Sequence, residues 1–102
     1  MVDRLSILRA AQNFEARIDG VFSGEVRTRL MDRNKAEITV PNGRVEIAIE
    51  RGFGDNDEDG WIIYPQRLQN WADDEPVTED ERVEIARVLT GALEALDYVV
   101  WR

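Results

Sequence analysis

The chain has 102 residues, 43% of them hydrophobic and 33% charged, with a net charge of −8, no cysteine, no histidine and a single lysine, Lys35. This length suits one domain, residues 1–102, with one modest core. The missing side chains exclude a disulfide framework, a cysteine nucleophile, a histidine-dependent triad and the usual zinc sites.

From Asp3 to Asp19 the apolar residues Ile7, Ala10, Ala11, Phe14 and Ile18 recur at helical spacing. They predict an amphipathic helix closed by Gly20. Gly20 to Gly24 reads as a connector. Val26, Thr28 and Leu30 alternate with Glu25, Arg27 and Arg29, the period of a half-buried strand; a short second helix is the competing reading. Ala36 to Val40 and Arg44 to Glu50 flank Pro41-Asn42-Gly43 and predict a hairpin, because Asn-Gly tolerates the positive φ angles of tight turns. Gly52 to Gly60 reads as a loop. Trp61 to Tyr64 reads as a strand stopped by Pro65, and Gln66 to Trp71 has room for one helical turn.

The last helix carries the clearest signal. Thr78-Glu79-Asp80-Glu81 has the form of a capping box, and three acids in the first turn suit the positive end of the helix dipole. Val83, Ala86, Leu89, Leu93 and Leu96 follow at helical spacing. Tyr98 to Trp101 reads as a short closing strand. The expected fold class is α+β, an antiparallel β-meander with an N-terminal helix and a C-terminal helix packed on one face.

Charge is unevenly spread. Residues 53–84 hold eleven acids against Arg67 and Arg82, a local balance of −9, and the rest of the chain is near neutral. The acids form two runs, Asp55 to Asp59 and Asp73 to Glu81, with Trp61 to Tyr64 and Gln69-Asn70-Trp71 between them. Carboxylates gathered around aromatics suit a positively charged protein partner. Nucleic acid is a poor match, because phosphates need clustered lysine and arginine. No apolar run approaches the ~20 residues of a membrane span, and Met1-Val2-Asp3-Arg4 does not begin a signal peptide. A cytoplasmic protein that is not an enzyme and needs no cofactor is expected.

Asp55-x-Asp57-x-Asp59-Gly60 matches the first half of a calcium loop. Gln66 stands where the bidentate carboxylate should be, and Pro65 where the exiting helix should begin. A solvated acidic turn is the simpler reading, with a calcium-dependent binding domain using Asp55, Asp57 and Asp59 kept as the alternative, beside other non-enzymatic interaction modules. Carboxylate pairs for acid–base chemistry are numerous, but none has apolar surroundings that would raise its pKa. Trp61 and Trp101 read as core. Trp71 is either a lid over the last helix, touching Val83, Ala86 or Leu89, or a partner anchor; core is the reading adopted.

The run Ile63-Tyr64-Pro65-Gln66-Arg67-Leu68-Gln69-Asn70-Trp71, an acidic gap, Pro76-Val77-Thr78-Glu79-Asp80-Glu81-Arg82 and then Ile85 resembles the polymorphic-toxin immunity protein family numbered seventy-four. The likeness covers roughly the last forty residues. It implies a bacterial protein that binds a cognate toxin in the producing cell and neutralises it, with Tyr64, Trp71, Pro76 and Thr78 matching the family's pattern. Charge and likeness together nominate Asp57, Asp59, Tyr64, Trp71, Asp73, Asp74 and Glu75 for contact with a basic toxin domain.

Overall fold

A computed structural model describes residues 3–53 and 59–101, the side chains of Phe53 and Asp59 excepted. The chain runs α1 (Arg4–Ala10), β1 (Glu15–Arg17), β2 (Gly20–Ser23), β3 (Val26–Asp32), β4 (Lys35–Val40), β5 (Gly43–Phe53), β6 (Asp59–Ile63), a 3₁₀ turn (Pro65–Arg67), α2 (Glu79–Ala95) and β7 (Val99–Trp101). All seven strands form one curled sheet in sequence order, antiparallel except for the parallel pair β6–β7. The fold is α+β, with the meander and both flanking helices as expected.

Strand alternation builds the core. Val26 and Thr28, then Ala36, Ile38 and Val40, then Val45, Ile47 and Ile49, then Trp61 and Ile63 turn to one face and are buried. Ile7 and Leu8 of α1 and Ile85, Val88, Leu89 and Leu93 of α2 cover that face. Each large aliphatic side chain so buried contributes about 1.5–3 kcal/mol. Among the described residues no helix covers the opposite face, which carries Arg27, Arg29, Lys35, Arg44 and Glu46. Glu37 on this face is nonetheless buried, with Arg29 at 3.1 Å and Arg44 at 3.6 Å from its carboxylate.

The first helix is much shorter than its periodicity predicts. Asp3 caps it by accepting from the Ser6 N–H at 2.7 Å. It stops at Ala10 because Arg87 of α2 donates to the carbonyls of Leu8 and Ala11 (2.8 and 2.7 Å), and the Gln12 N–H donates to Ser23 Oγ. Phe14 to Asp19 then alternates apolar and polar residues and forms β1 with its turn. The i, i+4 spacing of Phe14 and Ile18 fits both periods, and tertiary contacts choose the strand. Gly20 to Ser23, expected as a connector, is strand β2. Phe14 lies on α2 at Gly91, where a Cβ would collide with its ring.

Three further expectations change. The β4–β5 hairpin forms, but its turn is Pro41-Asn42, with Val40 paired to Gly43. Among the described residues, positive φ occurs only at Gly20, Gly24, Asp74 and Asp97, so the Asn42-Gly43 reading of a mirror-image turn does not hold. Pro41 sets the negative φ of an ordinary turn. On α2, Ala86, Leu89 and Leu93 are buried, but Val83 is 57% and Leu96 38% exposed. The buried face centres on Ile85, Val88 and Ala92, and Val83 sits beside the 3₁₀ turn, facing Pro65 and Gln66. Trp61 is core, its ring met edge-on by Tyr98 at 5.9 Å. Trp101 is only half-buried. It lies across Gly52 and Gly60 on the helix-free face, where a Cβ on Gly60 would strike the ring and the Val99 carbonyl. The loop expected from Gly52 is shorter too, because Gly52↔Gly60 and Phe53↔Asp59 pair within the sheet.

Candidate functional site

The segment between the 3₁₀ turn and α2 folds back on itself as a small hairpin. Val77 N–H donates to Gln69 O, and Asn70 and Pro76 form a bridge. At the tip, Trp71 N–H donates to Glu75 O (2.8 Å) and Asp74 N–H to Trp71 O (2.9 Å). The turn closes with Asp74 at φ 69°, a left-handed position that aspartate tolerates, and with Asp73 Oδ1 accepting from the Glu75 N–H. Ala72 N–H donates to Arg44 O and ties the tip to the start of β5.

Trp71 anchors this hairpin from beneath. It is 2% exposed. Its Nε1–H donates to Glu81 Oε1 at 3.2 Å, and the Arg4 guanidinium lies 4.5 Å from its ring centroid. The same Glu81 oxygen accepts from the Thr78 N–H (2.9 Å), while Glu81 N–H donates to Thr78 Oγ1 (3.1 Å). The capping box read from the sequence is therefore present, and its carboxylate does a second job on the indole. The ring is core, so the anchor alternative for Trp71 is overturned. The contacts that hold it are Arg4 and Glu81, which sequence reasoning did not nominate. The capping motif pointed to Glu81; no local signal marks Arg4, which is 67 positions away from Trp71.

Arg4 joins the hairpin to the body of the protein. It donates to Asp73 at 2.6 Å and to the Asn42 carbonyl at 2.6 and 3.1 Å. The arginine holds the Asp73 carboxyl below the ordinary carboxylate range, with the Glu75 amide adding to the effect. Asp73 is thus partly neutralised. Asp74, Glu75, Glu79 and Asp80 remain exposed around the same end, with Glu79 paired to Arg82.

A depressed carboxylate stabilises the fold above its unfolded pKa, and that contribution is lost as pH falls through the lower folded value. Asp73→Asn is therefore expected to be less stable than the native chain at pH 6, and the gap is expected to narrow as pH falls below the ordinary aspartate value of about 3.9. Urea midpoints measured across pH check this; an offset that does not shrink as pH falls counts against it.

The other nominated residues lie elsewhere. Tyr64 donates from its hydroxyl to Glu50 at 2.6 Å, which raises its pKa, and Arg67 stacks on its ring at 4.0 Å. Its amide donates to Ala48 O, well along β5 from Arg44. The strand from Arg44 to Phe53, which Asp59 pairs, spans roughly 30 Å at ordinary rise. The fold therefore gathers Asp73, Asp74 and Glu75 at one end, with Asp59 at the other and Tyr64 between them. Asp55 and Asp57, and with them the calcium reading and the partner contact assigned to Asp57, lie outside the described residues. No helix among the described residues is long and apolar enough to cross a membrane.

No family model, curated protein or solved structure matches the chain.

Proposed function

We propose that this is a bacterial immunity protein, a cytoplasmic and non-enzymatic inhibitor that binds a basic toxin domain through the acidic end built on the 69–81 segment. One observation carries the reading: exposed Asp74, Glu75 and Asp80 stand on a hairpin and helix start that are already held in place by Arg4, Trp71 and the capping box. Carboxylates fixed in this way meet a cationic surface without a large ordering cost, and steer it at long range. The likeness of Ile63 to Ile85 to an immunity family supports the same role. Tyr64 and Asp59 drop out of the contact set, and Asp80 joins it.

The test is to measure binding of the triple variant Asp74→Lys/Glu75→Lys/Asp80→Lys to a basic toxin domain encoded beside this chain, and its rescue of cells making that toxin. Association at low salt is expected to slow at least about tenfold and to lose most of its salt dependence, with a loss of stability of only about 1–2 kcal/mol from the left-handed position of Asp74 and the helix start at Asp80. Native binding that is equally tight at about 50 and 500 mM salt would sink the electrostatic reading.

A further inference from the structure

We propose that the chain forms a two-fold dimer by antiparallel pairing of the β1 edges of two copies. Strand β1 ends the sheet, its residues Glu15, Ala16 and Arg17 are all exposed, and among the described residues it pairs only with β2. Arg17 and Gly20 close a two-residue turn, so that pair is hydrogen-bonded, and by alternation Ala16 is not bonded to β2. Ala16 therefore turns its N–H and C=O to the open edge. Two copies centred on Ala16 can exchange those two bonds directly.

The sequence around this centre is self-complementary. Antiparallel pairing at Ala16 sets Glu15 opposite Arg17 of the second copy, and Arg17 opposite its Glu15. The same register brings Ile18 to the level of Phe14 of the second copy. Ile18 is the most exposed apolar side chain among the described residues, at 106%, and Phe14 is half-buried on α2. Phe14-Glu15-Ala16-Arg17-Ile18 thus reads apolar, acid, small, base, apolar in both directions. Charges on an edge strand commonly prevent association. Here the order of the two charges makes the self-pair attractive, and a reversed register sets like charges face to face.

The dyad stands perpendicular to the sheet, so both helix layers fall on the same side of a continuous fourteen-stranded sheet. Arg17 already contacts Glu15 at 3.2 Å within one copy and stacks on Phe22. The pairing exchanges two such ion pairs, one within each copy, for two across the dyad, so the charges set register rather than supply net affinity. The short edge covers less than the roughly 800 Å² per partner of a standard interface, so the dimer forms with rising concentration.

The experiment is sedimentation equilibrium of the full chain from about 10 µM to 1 mM, the range suited to a small interface. The native chain is expected to dimerise in this range. Glu15→Arg and Arg17→Glu place like charges opposite each other twice per dimer, and each is expected to weaken association at least about tenfold. A mixture of the two variants restores both pairs and is expected to give heterodimer, as the double variant Glu15→Arg/Arg17→Glu is expected to give homodimer. A native chain monomeric at 1 mM overturns the proposal, and so do single variants that dimerise as tightly as the native chain. Should a single variant fail to fold, Ile18→Asp takes its place, because a fully exposed side chain is dispensable for folding. It is expected to weaken association at least about tenfold, and unchanged association overturns the proposal.

Discussion

Replacing Trp71 with alanine is expected to lower the unfolding free energy by about 3–5 kcal/mol, the range for a large buried aromatic. The indole is 2% exposed and sits at the junction of α1, the 69–77 hairpin and the start of α2. Its loss opens a void that the hairpin cannot close, because Trp71 N–H and C=O themselves tie the tip to Glu75 and Asp74. For a domain of this size the melting temperature should fall by about 15 °C or more. Trp71→Phe separates the two roles of the side chain. It keeps an aromatic ring but removes the Nε1–H donor together with part of the indole's bulk, so a loss of at least about 1–2 kcal/mol is expected. A melting temperature for Trp71→Ala within two degrees of the native chain would mean that the ring is dispensable to the fold.

The second large effect is expected at Glu81. Its Oε1 accepts from the backbone N–H of Thr78 and from the Trp71 indole. Glu81→Ala removes half of the capping box, a loss of about 0.5–2 kcal/mol, and leaves a buried donor unpaired, about 1–3 kcal/mol more. The two losses share one oxygen, so a combined cost of about 2–3 kcal/mol is expected rather than their full sum. Glu81→Gln keeps an acceptor oxygen in place and should cost under about 1 kcal/mol. Denaturant unfolding of both variants, and of each combined with Trp71→Phe, checks the coupling. If Glu81→Ala and Trp71→Phe add without interaction, the shared hydrogen bond is not contributing. This carboxylate lies in the most acidic stretch of the chain, where counting charge alone would assign it to a binding surface.

The helix start at Thr78, the β4–β5 hairpin, the β3 strand and the closing strand were legible because each rests on residues within a few positions of one another. A capping box, a strict alternation and an Asn-Gly beside a proline are local facts, and local facts survive folding. Even there the detail shifted, since Pro41 rather than Asn42-Gly43 governs the turn.

The first helix was misread for a physical reason. Phe14, Ala16 and Ile18 satisfy a strand period, while Ile7, Ala10 or Ala11, Phe14 and Ile18 satisfy a helical one. Arg87, about eighty positions downstream, decides between them by taking the carbonyls of Leu8 and Ala11. On α2 the apolar stripe was real but rotated, because the 3₁₀ turn and the curl of the sheet set which flank lies against the core.

The acidic character of the protein was a property of the sequence by itself. Its distribution in space was not. The eleven residues of β5 set Asp59 and the carboxylates of residues 73–75 toward opposite ends, and Arg4 partly neutralises Asp73 and holds Trp71 from a position no sequence window spans. Composition and local spacing specify which groups exist and which turns and caps they favour. Long-range packing, through Arg4, Arg87 and the length of one strand, decided which carboxylates share a surface and which aromatic lies beneath it.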